Sequence, residues 1–219
     1  MVTTLLIGLP LVQDAMSSVQ QSNSTNVTND EAKKFNDEGL ALLKLGKYNE
    51  AISYYDKALA INPNDTTALN NKGFSLAFLG KYNEAISYYD KALAINPNDV
   101  DVLNNKGWSL AVLGKYNEAI IYYDKALAIN PNDVDVLSNK GLSLAFLGKY
   151  NEAISYYDKA LAINPNYTIA LDNKGLSLAL LGKYNEAISY YDKALAINPN
   201  DTDVLDHKQA ALDALSREK

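Results

Sequence analysis

LGKYNEAISYYDKALAINPND, residues 45–65, decides how this chain is read. The same string returns almost letter for letter from Leu79, Leu113, Leu147 and Leu181, each time 34 residues later. Pro63, Pro97, Pro131, Pro165 and Pro199 mark the same interval. A fixed period of this size is the signature of one supersecondary unit stacked on copies of itself. The copies run 32–65, 66–99, 100–133, 134–167 and 168–201.

Within the second copy, Leu69, Leu76 and Leu79 recur at helical spacing with Gly73 and Ala77 between them, which predicts a helix with one apolar stripe. Gly80 ends it, because the left-handed C-terminal position favours glycine. Tyr82 and Asn83 open a second helix, with Asn83 as its expected N-cap and Glu84 near the positive end of the dipole. Its expected buried face is Ala85, Ile86, Tyr89, Ala92, Leu93 and Ile95. Proline at 97 stops it, and Asp99 is placed to cap the next copy's first helix. Gly39, Gly73, Gly107, Gly141 and Gly175 stand mid-helix, where glycine costs about 1 kcal/mol relative to alanine. Their recurrence predicts a close approach of the two helices, with Ala85 and its equivalents as the other small surface.

On these residues the chain resembles the tetratricopeptide repeat family. The family's small and large positions fall on Gly73, Leu76, Gly80, Tyr82, Ala85, Tyr89, Ala92 and Pro97 and their equivalents, over 170 residues. Where the family often has Trp, this chain has Phe35, Leu69, Leu103, Leu137 and Leu171. The resemblance implies an all-α, right-handed superhelical solenoid of five helix-turn-helix repeats. It also implies a concave groove, lined by the first helices, that receives a segment of another protein.

The copies differ mainly in that first helix. Its second and fifth positions hold Thr67 and Asn70, Asp101 and Asn104, Asp135 and Ser138, Ile169 and Asp172. Its ninth and thirteenth hold Phe74 and Phe78, Trp108 and Val112, Leu142 and Phe146, Leu176 and Leu180. These offsets share a face distinct from the core stripe, and in the resembled family such residues line the groove. The competing account is drift after duplication. One position is constant: Asn71, Asn105, Asn139 and Asn173, with Asp37 in the first copy. An amide offers both a donor and an acceptor, matching a peptide group. Some members of the family use an asparagine ladder to hold a peptide backbone; otherwise these residues bridge adjacent helices. Members that clamp a C-terminal carboxylate use Lys and Arg where this chain has Asn70, Phe74 and Asp101. The partner site is expected to centre on Phe74, Asn105, Trp108, Leu142 and Phe146.

Other chemistry finds little support. There is no cysteine, hence no disulfide or thiolate metal site. The single histidine, His207, sits beside Asp206 in a polar stretch and is read as solvent-facing. The Asp56-Lys57 pair and its copies read as a solvated face, and one tyrosine of each Tyr-Tyr pair as core. No phosphate-binding glycine loop appears. A net charge of −6 argues against nucleic acid, which calls for a basic stripe. The expected protein is therefore not an enzyme, has no cofactor and no small-molecule substrate, and binds another protein or peptide. The alternative is a structural role through self-association of the repeats.

Residues 1–30 differ from the rest. Residues 5–12, LLIGLPLV, are too short to span a bilayer and could be a signal-peptide core, with Ala15-Met16-Ser17 as the cleavage site. No Lys or Arg precedes Lys33, which speaks against export, so exported and cytoplasmic locations stand open; a membrane tether follows only if the segment is retained. Residues 17–30 are polar, carry sequons at Asn23 and Asn26, and read as a linker. Removing residues 1–28 is accordingly expected to leave the melting temperature unchanged; a large drop would show that the segment docks on the repeats. Residues 202–219 restart the unit as one capping helix, with Leu205, Leu212 and Leu215 continuing the stripe and Gln209 in place of the packing glycine.

Overall fold

The computed structural model describes residues 28–217, so the apolar run and the linker up to residue 27 lie outside it. The described residues contain helices and no strands. They divide into two compact units after Lys81, between the two helices of the second copy. A repeat array has no single core, because each element is buried only by its neighbours.

The first unit holds α1 (28–44), α2 (Tyr48–Ile61) and α3 (Thr66–Phe78). The second holds α4 (Tyr82–Ile95), α5 (Val100–Val112), α6 (Tyr116–Ile129), α7 (Val134–Phe146), α8 (Tyr150–Ile163), α9 (Thr168–Leu180), α10 (Tyr184–Ile197) and α11 (Thr202–Arg217). Within the second unit, consecutive helices pack as antiparallel neighbours, and the first helices α5, α7, α9 and α11 also touch in succession.

The helix ends follow the sequence. The aspartates of the NPND turns cap α3, α5, α7 and α11, where Asp65, Asp99, Asp133 and Asp201 accept from the backbone N–H of Ala68, Val102, Val136 and Val204. At the end of the fourth copy, before α9, Tyr167 takes the aspartate's place and makes no capping bond; its hydroxyl donates instead to Asp135 at 2.5 Å. At the other end of α3, Gly80 has φ +77°, with Gly80 N–H donating to Ala77 and Lys81 N–H to Leu76. That is the paired-bond glycine termination of a helix. Asn83 is not a cap: it lies second within α4, and in α2, α6, α8 and α10 the N-cap position is a lysine without a side-chain capping bond.

The second unit buries three equivalent layers: Leu103, Leu110, Tyr123 and Val136; Leu137, Leu144, Tyr157 and Ala170; Leu171, Leu178, Tyr191 and Val204. Ile95 is exposed and Ile86 and Leu93 are half-buried, so the second helix buries a narrower face than its pattern suggests: Ala85, Tyr89 and Ala92. Gly39, Gly107, Gly141 and Gly175 each stand closest to a tyrosine ring rather than to the alanines. A Cβ at Gly39 would stand 2.6 Å from Tyr55 Cε1, and one at Gly141 2.6 Å from Tyr157 Cε1.

Two polar features depart from the expected solvated surface. Lys72, Lys106, Lys140 and Lys174 are buried, and each ammonium donates to the aspartate of the preceding second helix: Asp56, Asp90, Asp124 and Asp158. The last three also donate to Tyr122, Tyr156 and Tyr190 of their own repeat at 2.6–2.7 Å. Asp56 and its copies are thus anchors between helices. His207 is half-buried, with Nδ1 2.9 Å from Asp172 Oδ1, and ties α11 to α9. The cap helix buries Val204 and Ala211, while Leu205 and Leu212 stay 44% and 39% exposed.

These groups set an alkaline limit. Burial works to lower the pKa of Lys140, but its bonds to Asp124 and Tyr156 and their charges outweigh it and hold it above the usual lysine value. Burial raises Tyr157 far above an ordinary phenol, and pushes Tyr55 up to about 12. In both cases the unfolded chain gives up its proton first. Their contribution is therefore complete below about pH 10 and is lost as pH rises through the folded-state values. Helical content followed by circular dichroism should fall cooperatively above about pH 10, and a Lys140→Met variant should begin to fall at higher pH. No alkaline transition would contradict the buried positions of these groups.

Candidate functional site

On a helix, residues three, four and seven apart share a face. In α5 this puts Asp101, Asn104, Asn105, Trp108 and Val112 along one side; α7 and α9 repeat the arrangement with Asp135, Asn139, Leu142 and Phe146, and with Asn173, Leu176 and Leu180. Between α5, α6 and α7 a pocket of about 220 Å³ is lined by Trp108, Val112, Tyr116, Asn139, Leu142 and Phe146, with Tyr123 and Ser143 behind. Between α7, α8 and α9 a pocket of about 260 Å³ is lined by Leu142, Phe146, Tyr150, Asn173, Leu176 and Leu180, with Tyr157 and Ser177 behind. Each wall of the second is a wall of the first advanced by 34 residues. Leu142 and Phe146 belong to both and form the partition.

Aromatic contacts give these walls their shape. Phe146 stacks on Tyr116 with centroids 4.9 Å apart and planes 5° apart, and Trp108 meets Tyr82 edge-on at 5.8 Å. Trp108 and Leu142 are half-buried, whereas Phe146 is 62% exposed. In the first unit Phe78 stacks on Tyr48 at 5.1 Å and touches Phe74 at 4.7 Å. Asn71 lies there in a different, polar pocket with Asn36, Asp37 and Asp65. Of the expected residues, Trp108, Asn139, Leu142 and Phe146 therefore surround one pocket, and Asn173 and Leu176 join the next. Asn70, Asn71, Phe74 and Phe78 belong to the first unit. Asp101 is exposed, and Asn104 and Asn105 are half-buried.

One of the constant asparagines bridges two first helices. Asn139 Nδ2 donates to Asn104 Oδ1 at 3.0 Å, linking α7 to α5. Thirty-four residues beyond Asn173, the same place is held by His207, bonded to Asp172. Tyr116 and Tyr150 are the site residues that sequence comparison missed. They are identical in every copy, so a search for variable positions passes over them; only their place at the N-terminus of the second helix, opposite the thirteenth position, reveals them.

Tetratricopeptide repeat models match residues 32–65, 64–132 and 133–200. The chain belongs to the tetratricopeptide repeat family. Its fold is accordingly an all-α helical-repeat solenoid, and members of this family are typically protein-interaction scaffolds rather than enzymes. Among solved structures, this tetratricopeptide chain is 25% identical to YrrB, a TPR protein with an unusual peptide-binding site; the match covers 89% of this chain and 98% of YrrB at a TM-score of 0.66. It is 25% identical to MamA over 80% of this chain and 95% of that one, with a TM-score of 0.66. PilW, a type IV pilus biogenesis factor, shares the fold at 24% identity and a TM-score of 0.80, over 84% and 86% of the two chains. No curated protein matches the chain significantly. Among the described residues, no three His, Cys, Asp or Glu side chains gather as a metal site, and no helix is long and apolar enough to cross a membrane.

Proposed function

We propose that this tetratricopeptide chain is a non-enzymatic scaffold whose second unit binds a peptide segment of another protein along α5, α7 and α9. The observation carrying this reading is the pair of matching apolar pockets that share Leu142 and Phe146. Monomeric surfaces rarely keep such apolar walls open without a partner. The Asn104–Asn139 bond leaves Asn139 Oδ1 and one amide hydrogen to meet a bound backbone. YrrB, with its peptide-binding site, supports the class of ligand.

The test uses residues 29–219 as bait, with a Leu142→Asp variant alongside, and identification of captured proteins by mass spectrometry. A discrete partner held by the parent and lost by the variant is the expected result. A partner retained equally by both would place binding elsewhere. A second reading, self-association, draws on Leu205 and Leu212 of the cap, whose equivalents Leu171 and Leu178 are buried. Sedimentation of the chain as a concentration-dependent oligomer would favour it.

A further inference from the structure

The spacing of the two pockets selects a ligand conformation, given the reading that this groove is the partner site. Asn139 donates to Asn104 at 3.0 Å, so α5 and α7 lie side by side, and α7 touches α9 in the same way. Helices in contact have axes about 8–10 Å apart, which is then the step from one pocket to the next. A β-strand puts side chains on one face about 7 or 13 Å apart and misses that step. A polyproline II segment has three residues per turn at 3.1 Å each, so side chains three apart point the same way about 9 Å apart.

A helix with side chains seven apart also spans about 10 Å, but its backbone groups are bonded internally. The pockets are built for an open backbone. Each carries an asparagine amide, Asn139 or Asn173, beside its apolar walls. A polyproline II backbone has no internal hydrogen bonds and presents its carbonyls to such amides. The rings of Trp108, Tyr116, Phe146 and Tyr150 supply the aromatic walls on which proline-rich segments dock.

Charge completes the description. Asp101 and Asp135 are exposed on the same faces, seven residues before Trp108 and Leu142, which is about 10 Å along each helix. The chain as a whole carries −6. Residues between the two anchors of a polyproline II ligand point out of the pockets and toward this acidic rim. We propose that the second unit recognises a basic polyproline II segment with two apolar side chains three residues apart, one in each pocket, and Arg or Lys between them facing Asp101 and Asp135.

The test titrates the full chain with the blocked octapeptide PRLPRLPR, following Trp108 emission and calorimetry. The controls are PRLLPRPR, of equal composition but with adjacent leucines, and an alanine-rich helical peptide with leucines seven apart. PRLPRLPR should bind at least about tenfold tighter than PRLLPRPR, and Leu142→Ala should weaken it by a similar factor. Asp101→Asn with Asp135→Asn should weaken it further and flatten its salt dependence. Equal binding of the two octapeptides overturns the proposal without recourse to any variant. Tighter binding of the helical peptide, lost in Leu142→Ala, overturns it while leaving the groove as the partner site. Binding insensitive to Leu142→Ala overturns both.

Discussion

Replacing Gly141 by leucine is expected to lower the melting temperature more than any exposed substitution in the chain. A Cβ at this position would lie 2.6 Å from Tyr157 Cε1 and 3.0 Å from Cδ1 and Cζ. The tyrosine is completely buried, among Leu137, Leu144, Ala153 and Ala160, so its ring has nowhere to move. Leucine adds three further carbons beyond the clashing Cβ. Overpacking of this kind costs about 1–3 kcal/mol and here belongs at the upper end of that range. Gly148 offers the contrast: a Cβ there meets nothing, and only its φ of +74° opposes substitution. Thermal unfolding followed by circular dichroism measures both. A double-mutant cycle isolates the contact, because Gly141→Ala should cost markedly less in a Tyr157→Leu background than alone. Equal costs in the two backgrounds would show that the ring is not what the glycine accommodates.

The second large effect is on binding. Trp108→Ala should weaken a groove-bound partner by about 2 kcal/mol or more, because binding energy concentrates in a few enclosed aromatic anchors. Trp108 is the chain's only tryptophan, is half-buried, and forms a wall of the pocket that also holds Leu142 and Phe146. Its stability cost should be small, since the side chain is only half-buried and lines an open pocket, with its ring meeting Tyr82 edge-on. Asn139→Ala should cost affinity by about 1 kcal/mol, the usual net worth of one hydrogen bond. It should also cost some stability, because the amide bridges α7 to α5. A Trp108→Ala variant with a strongly lowered melting temperature and unchanged affinity would make the residue part of the inter-repeat core and remove the main support for the groove.

How far the sequence could be read depended on whether a residue acts within its own helix or across helices. The period of 34, the helix boundaries at Gly80 and Pro97, and the capping aspartates are local. Hydrogen bonding and φ preference act over a few residues, so the letters alone determine them. The mid-helix glycine was legible as a close approach, but its opposing surface was not. Whether Ala153 or Tyr157 meets Gly141 depends on the rotation of one helix against another. The variable positions were legible as one face; that Leu142 and Phe146 divide two matching pockets was not.

What the sequence by itself determined is the repeat, its helix-turn-helix content and the first-helix residues that share an outward face. Tertiary structure alone decided which polar groups are buried. Asp124 read as part of a solvated face until packing brought the buried ammonium of Lys140, sixteen residues on, against it and against Tyr156 of α8. His207 read as solvent-facing until α11 came to rest beside Asp172 of α9. Tyr116 became a pocket wall only when Phe146 of the next repeat stacked on it. Each of these contacts joins helices whose relative placement depends on the volumes of all the side chains between them, and no short-range pattern carries that quantity.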